Sequence, residues 1–245
     1  MPLRDPELKV EWAKKHLDAL NAAHVAFTNS EPYTISAEDD LERGHYVLTV
    51  KTNSPPFSLA LIAGDFISCL RSSLDHLAWQ LASDAAKRST RLCFPIHGEN
   101  SLDVQMSITK QTYGIPEAAI SIIKSLQPYN SGNAYKTSLL WLLNALWNID
   151  KHRHITLHSG IYEFLLSATY DRRVFGEPEA TNVDDGCVLR FPVAAKPHMD
   201  LKPRCLIQVT FGDEQEGVEV LIGWFSEVYE FVSTSVIPQF AGFFA

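Results

Sequence analysis

Residues 71–82, RSSLDHLAWQLA, place three side chains capable of acid–base and ion-pairing chemistry in an otherwise apolar helical segment. These are Arg71, Asp75 and His76. At about 100° per residue, Arg71 and Asp75 lie about 40° apart on one helix face, whereas His76 is rotated by about 140° from Arg71. A cation, a carboxylate and an imidazole in this arrangement predict either a catalytic or ligand-binding site, or a polar cluster that is satisfied between helices.

A second apolar segment, residues 134–155, carries polar groups at a similar depth in its helix. Asn144, Asn148 and His152 recur every four residues, so they form one row along a helix. Polar groups that are buried without a partner cost about 1 to 3 kcal/mol each, and groups on neighbouring helices therefore tend to pair. One hypothesis is a structural network that fixes the register of the two helices, formed by Arg71, Asp75, His76, Asn148, Asp150 and His152.

The spacing of Arg71 and His76 supports a catalytic alternative. Four residues separate them, and the segment RSSLDH resembles the Arg-x(4–6)-His motif of the HEPN superfamily. Members of that superfamily are small helical bundles that often dimerise, and many of them cleave RNA without a metal. The resemblance implies a metal-independent endoribonuclease that needs no cofactor, with RNA as its partner and a homodimer as its assembly.

The same resemblance implies roles for individual residues. His76 would act as general acid or base at the ribose 2′-hydroxyl, since an imidazole titrates close to neutral pH. Arg71 would stabilise charge on the phosphate, with Asp75 in support. The residues expected to bind RNA on the second helix are Asn148, Lys151, His152 and Arg153.

The segments LRSSLDHLAWQLA and LWNIDKHRHI, taken together, resemble a pair found in a family of bacterial proteins of about this length. That resemblance implies no activity. It leaves open a non-enzymatic binding or assembly module, in which the same polar residues form the structural network and the sheet or the bundle meets a partner.

The histidines raise a third alternative, a zinc-type metal site. His76, His152 and His154, with Asp75 or Asp150, are ligands of the right chemical type. However, His152 and His154 point about 200° apart on a helix, and the sequence contains no HExxH pair. We therefore predict no metal site.

Composition and charge narrow the classes of function. The 245 residues carry a formal net charge of -8, which argues against binding nucleic acid or an anionic membrane through overall charge but is compatible with a local basic site. The four cysteines show no CxxC spacing, and the N-terminus lacks the apolar core of a signal peptide. No apolar stretch reaches the roughly 18 residues of a membrane span. We expect a cytoplasmic protein that does not enter a membrane.

Hydrophobic periodicity predicts a helical core interrupted by two strand-forming inserts. The helical core covers residues 5–27, 57–88, 101–126, 134–155 and 217–237, and the inserts cover 33–52 and 163–212. Within the inserts we expect strands at 33–36, 45–52, 163–174, 187–193 and 204–212. This order predicts an α+β fold in one domain, residues 1–245, in which a bundle of four or five main helices packs beside a small antiparallel sheet.

Two further features concern packing. Gly64 interrupts the long helix predicted at 57–88, and because glycine costs about 1 kcal/mol in a helix, it predicts a close helix crossing. The tryptophans that lie in apolar helical stripes are predicted to be core residues; these are Trp79, Trp141, Trp147 and Trp224.

Overall fold

The structure is a computed structural model that describes residues 4–165, 171–183, 186–198 and 204–244. Within these ranges, helices alternate with strands in an order close to the one predicted. The elements are α1 (Arg4–Asn29), β1 (Tyr33–Asp40), β2 (His45–Thr52), α2 (Ser58–Leu81), α3 (Leu102–Gln111), α4 (Glu117–Ser125), α5 (Leu139–His152), β3 (Thr156–Leu165), α6 (Arg172–Phe175), β4 (Glu179–Val183), β5 (Gly186–Pro192), β6 (Arg204–Asp213), β7 (Val218–Leu221) and α7 (Ile222–Glu230).

These elements confirm the predicted α+β class. The strands form two antiparallel sheets where the sequence predicts one. The larger sheet has the strand order β1–β2–β5–β4, so it combines strands from both predicted inserts. In the smaller sheet, β6 is hydrogen-bonded to β3 and to β7. No helix in the described ranges combines the length and the apolar character needed to cross a membrane.

The described residues group into two compact units. The helical unit contains the chain up to Asn21, Ser58–Thr156 and the chain from Gly212 onward. The strand unit contains Ala22–Phe57 and the described part of Leu157–Phe211. The organisation as one domain stays a prediction. All of the candidate site residues lie in the helical unit.

The core of the helical unit is built on α2, whose apolar residues recur every three or four positions and therefore share one face. Leu70, Leu74 and Leu77 on this face are completely buried. Helix α5 packs against both α2 and α7, and Phe66 of α2 meets Phe225 of α7 edge to face, with 5.5 Å between the ring centroids. Since each buried side chain of this size contributes about 1.5 to 3 kcal/mol, α2 is held firmly as the central helix.

The strand unit has a small apolar cluster of its own. Leu48 of β2 lies opposite Leu189 of β5, and Val50 lies opposite Cys187. These four side chains share one face of the sheet because alternate residues of a strand point the same way. Phe191 completes the cluster.

Two long predicted helices are shorter in the structure because other hydrogen bonds replace the helical pattern at one end of each. Helix α2 ends at Leu81, and the backbone N–H of Ser83 then donates to the carbonyl oxygen of Gly114 at 2.9 Å. Helix α5 begins only at Leu139, because the Ser138 hydroxyl caps it by accepting from the Trp141 N–H at 3.2 Å. Serine is among the preferred residues at such an N-cap.

The helix predicted at 217–237 is wrong at its start. Val218 and Val220 are buried while Glu219 and Leu221 are exposed, which is the alternation of a strand. This segment is β7, and α7 follows it. After α7 the chain continues as a π-helical turn over Phe231–Val236.

The strand predicted at 163–174 is also displaced. The structure places β3 at Thr156–Leu165, and Arg172–Phe175 forms the short helix α6. Residues 166–170 lie outside the described residues. Strand β4, at Glu179–Val183, was not among the predicted strands.

Candidate functional site

Helices α2 and α5 carry the predicted polar residues and pack directly against each other. They lie close together at Gly64, where a Cβ atom would lie 2.5 Å from Oδ1 of Asp150. The predicted close crossing is therefore confirmed. A side chain at position 64 would have to displace the Asp150 carboxylate.

Arg71 lies inside this helix pair, with 5% of its surface exposed. All three nitrogens of its guanidinium donate hydrogen bonds: Nη1 to Asp75 Oδ1 at 2.5 Å, Nη2 to the carbonyl oxygen of Phe94 at 2.9 Å, and Nε to Asn144 Oδ1 at 3.3 Å. Asp75 Oδ1 also accepts from the Phe94 N–H at 3.0 Å. We call these four residues the Arg71 cluster. Its charge-assisted bonds join α2, α5 and the segment that follows α2.

Trp147 extends the Arg71 cluster along α5. Its ring centroid lies 5.4 Å from Arg71 Cζ and 5.0 Å from Lys151 Nζ, which is the range of a cation–π interaction. Lys151 is exposed, unlike Arg71. One aromatic ring is thus shared by a buried cation and an exposed one.

His76 does not belong to the Arg71 cluster. It is exposed on α2. It lines a surface cavity of about 390 Å³, which we call the His76 cavity, together with Asp5, Asp75, Trp79 and Leu92. The predicted catalytic pair is therefore divided, because Arg71 is enclosed while His76 is accessible to solvent.

Trp79, in the wall of the His76 cavity, was predicted from the sequence to be a core residue. It is 46% exposed, so its predicted core position is wrong, whereas Trp224 is 7% exposed as predicted. The Nζ atom of Lys87 lies 4.8 Å from the centroid of the Trp79 ring. An exposed aromatic ring beside a cation is a surface on which a nucleobase or another flat group can stack.

A second cavity, of about 370 Å³, lies along α5, and we call it the α5 cavity. Asn144, Asn148 and His152 all line it, which confirms the predicted polar row. Trp141, Arg153 and Glu216 also contribute to its wall. Because Asp75 lines the His76 cavity and Asn144 lines the α5 cavity, the Arg71 cluster borders both.

Arg153, which the sequence assigned to RNA, is already paired with two carboxylates. Its Nη1 atom lies 3.1 Å from Oδ2 of Asp213, and its Nη2 atom pairs with Oε1 of Glu216. The side chain of Asp213 is 10% exposed. The charge of Arg153 is therefore balanced by two acidic partners, of which Asp213 is buried and Glu216 is exposed.

The structural network predicted from the sequence is wrong in its membership. Arg71 and Asp75 do pair, but the structure places His76, Asn148, Asp150 and His152 elsewhere. The missing partners are Asn144 and the carbonyl oxygen of Phe94. Asn144 could have been found from its place in the polar row. Nothing in the helical periodicity pointed to Phe94, because it lies in a segment without a repeating pattern.

Cys93 is the nucleophilic group nearest in sequence to the Arg71 cluster. Burial raises the pKa of its thiol and the Asp75 carboxylate raises it further, whereas Arg71 and a hydrogen bond with Gln111 lower it. Because the net shift is upward, Cys93 is a thiol at neutral pH. It is therefore not an activated nucleophile.

Because of Asp150, the stability of the crossing between α2 and α5 depends on pH. Burial raises its pKa above the ordinary value of 3.8, the Asp65 carboxylate adds to this, and His154 opposes it. With a raised folded-state pKa, the protonated form stabilises the fold, and this contribution is lost as pH rises through that pKa. We expect Asp150→Asn to raise Tm at neutral pH, by an amount that shrinks as the pH falls towards 3.8.

Thermal melts of the wild type and Asp150→Asn at a series of pH values measure this effect. Glu99→Gln removes an exposed carboxylate from a loop and is the control, for which we expect little change. Asp65→Asn should reproduce part of the gain, since Asp65 disfavours the ionised form of Asp150. A lower Tm for Asp150→Asn at neutral pH would contradict the prediction.

Among the described residues, no group of three or more histidine, cysteine, aspartate and glutamate side chains is arranged to hold a metal ion. His76 and His152 line different cavities.

The chain matches no protein-family model, no curated protein and no solved structure. Its function must therefore be inferred from the geometry of the two cavities and of the Arg71 cluster between α2 and α5.

Proposed function

We propose that this protein is a non-enzymatic binding module for single-stranded RNA, with its binding surface on the exposed face of α2 around His76 and Trp79. The main observation behind this proposal is that Arg71 is buried among its hydrogen-bond partners. A phosphate would have to compete for a buried guanidinium whose three nitrogens already donate to Asp75, Phe94 and Asn144. Arg71 therefore fixes the helices, and the accessible residues beside it do the binding.

RNA is favoured by the side chains that surround Trp79. Its ring is half exposed and lies beside Lys87, and the following segment adds the exposed Arg88 and Arg91. Between residues 84 and 92 there are three basic residues and one acidic residue, in a chain whose overall charge is negative. The acidic residue, Asp84, pairs with Lys87 at 3.1 Å, so the phosphate contacts fall to Arg88 and Arg91. Single strands bind to such surfaces by stacking bases on aromatic rings and by placing phosphates near cations.

The residues of α5 that were predicted to bind RNA do not all belong to the proposed binding surface. Lys151 is exposed and can add a phosphate contact, whereas Arg153 is neutralised by Asp213 and Glu216. Asn148 and His152 line the α5 cavity, away from the group around Trp79. The homodimer stays a prediction.

Metal-independent RNA cleavage is the second candidate. It is favoured by one observation, that His76 and Asp75 line the same surface cavity. An accessible imidazole beside a carboxylate can move a proton from a ribose 2′-hydroxyl. In that mechanism Arg71 would have to leave its partners to reach the phosphate.

Fluorescence anisotropy with a short labelled uridine-rich strand, in EDTA, tests the binding proposal. We expect Trp79→Ala to weaken binding about tenfold or more, since stacking one base is worth about 1 to 3 kcal/mol. Trp12→Ala is the matched control, because Trp12 is 52% exposed and has Lys15 Nζ 4.3 Å from its ring centroid. Arg88→Ala and Arg91→Ala should each reduce the salt dependence of binding, by a slope of roughly 0.7 per lost phosphate contact.

The same samples, separated on a gel, distinguish binding from cleavage. Intact RNA and a specific loss with Trp79→Ala support the proposal. Fragments that form in EDTA and disappear with His76→Ala would replace it by the ribonuclease. Equal loss of affinity in Trp79→Ala and Trp12→Ala, or no RNA binding by the wild type, would overturn the proposed surface.

A further inference from the structure

The α5 cavity has the size and lining of a small-molecule site. Its volume of about 370 Å³ lies in the range of about 300 to 1,000 Å³ that is common for such sites. Polar groups from two successive turns of α5, Asn144 and Asn148, converge on it with His152 from the next turn. They are carried by a helix that packs on α2 and α7, so their backbone positions are fixed before a ligand arrives.

The hydrogen-bonding groups of the α5 cavity include both donors and acceptors. Asn144 accepts from Arg71 Nε through Oδ1, which orients its amide so that Nδ2 is the group left to donate. Asn148 is exposed and offers a donor and an acceptor. Glu216 uses Oε1 for Arg153, and its second carboxylate oxygen adds an acceptor. Hydroxyl groups, which donate and accept at once, are the natural complement of such a mixed set.

The charge of the α5 cavity disfavours an anion. Arg153 is the cation in its wall, and it pairs with both Asp213 and Glu216. In the wall itself Glu216 balances Arg153, and Asp213, which pairs with Arg153 but does not line the cavity, brings these three residues to one net negative charge. A phosphate or carboxylate ligand would therefore meet repulsion, and the C-terminal end of α5 adds a further partial negative charge.

Trp141 supplies an apolar surface in the same wall. Its ring is partly buried, and Tyr135 holds it edge to face, with 5.8 Å between the ring centroids. The C–H face of a sugar ring is apolar while its edge carries hydroxyl groups. Such a ring matches a flat aromatic group next to amide and carboxylate partners.

We infer that the α5 cavity binds a neutral ligand built on a hydroxylated ring, of the size of a saccharide or a nucleoside. The cavity is separate from the surface proposed for RNA, and the inference does not depend on RNA binding. Asn148 and Glu216 would bond to the hydroxyl groups, and Trp141 would pack against the ring.

Matched neutral and phosphorylated probes test this inference on the full chain. Saturation-transfer NMR and tryptophan fluorescence are recorded with glucose and glucose 6-phosphate, and with adenosine and adenosine 5′-monophosphate. We expect saturable binding of at least one neutral probe, and binding of its phosphorylated counterpart that is about tenfold weaker or more. The glucose and adenosine pairs distinguish a saccharide from a nucleoside.

Variants connect the binding to the cavity. Asn148→Ala should weaken the neutral probe about tenfold, since it removes a donor and an acceptor. Asn133→Ala, an exposed amide in the turn before α5, is the control and should leave binding unchanged. Glu216→Gln should narrow the difference between the neutral and the phosphorylated probe, because it removes the surplus negative charge.

Binding that survives Asn148→Ala unchanged would place the ligand elsewhere. Tighter binding of the phosphorylated probes than of the neutral ones would overturn the inference, and it would show that Arg153 remains available to anions. Absence of saturable binding by both neutral probes at millimolar concentration would also overturn it.

Discussion

Arg71→Leu is expected to reduce the free energy of unfolding by about 2 to 4 kcal/mol, which lowers Tm by roughly 5 to 15 °C in a chain of this size. Leucine removes the donors to Asp75, Asn144 and the carbonyl oxygen of Phe94. Buried acceptors that lose their donors bear the cost of desolvation without compensation. The loss falls below that of a fully buried pair, because the Asp75 side chain is 31% exposed and water can reach it.

Differential scanning calorimetry measures this loss, with Arg91→Leu as the control. Arg91 is exposed, so its replacement should leave Tm almost unchanged. Asn144→Ala, combined with Arg71→Leu in a double-mutant cycle, should lose less than the sum of the two single effects, because both remove the same hydrogen bond. An unchanged Tm for Arg71→Leu, together with altered binding or cleavage of RNA, would favour a catalytic role for Arg71 over a structural one.

Helical periodicity was sufficient to predict the neighbours within each helix. The 40° separation of Arg71 and Asp75 placed them on one helix face, where they form an ion pair, and the spacing of Asn144, Asn148 and His152 predicted a common row. These relations depend only on the regular rise and turn of a helix. The α+β class followed in the same way, from the change between helical and strand periods.

Relations between distant parts of the chain could not be predicted in this way. Phe94 completes the Arg71 cluster from an irregular segment. Asp213 at the end of β6 and Glu216 in the turn before β7 pair with Arg153. A local pattern contains no information about which segment will fold against a helix. For this reason the phosphate contacts expected of Arg71 and Arg153 are not free in the structure. Both arginines have partners that their own helix does not supply.

The polar neighbours of Trp79 along α2 do indicate its exposure. Trp79 follows His76 by three residues, and a strip at steps of three or four runs back through Ser72, Ser68 and Asp65. These residues are polar, and the structure shows this strip at the surface. The apolar character of tryptophan outweighed its position in the prediction, although tryptophan is often placed where one side remains wet.

In the segment after Gly217, a tertiary contact decides between the helical and the strand pattern of apolar residues. Val220 and Trp224 are four residues apart, which fits helical spacing as well as strand alternation, and the predicted helix began in this segment. In the structure β7 pairs with β6, and the pairing brings the backbone of Val218 against Gly212. Residues this close leave no space for a side chain at position 212.

Gly212→Ala is therefore expected to destabilise the protein by about 3 kcal/mol, the upper end of the usual cost of overpacking. A Cβ atom there would lie 1.9 Å from the carbonyl oxygen of Val218, a backbone atom that cannot rotate away. The strands must separate, which also shifts the adjacent Asp213 from Arg153, so we expect Tm to fall and probe binding at the α5 cavity to weaken. Gly223→Ala is the matched control, because a Cβ at Gly223 meets nothing within 4 Å and alanine favours a helix. Equal Tm values for the two variants would show that β6 and β7 do not pair as closely as this structure places them.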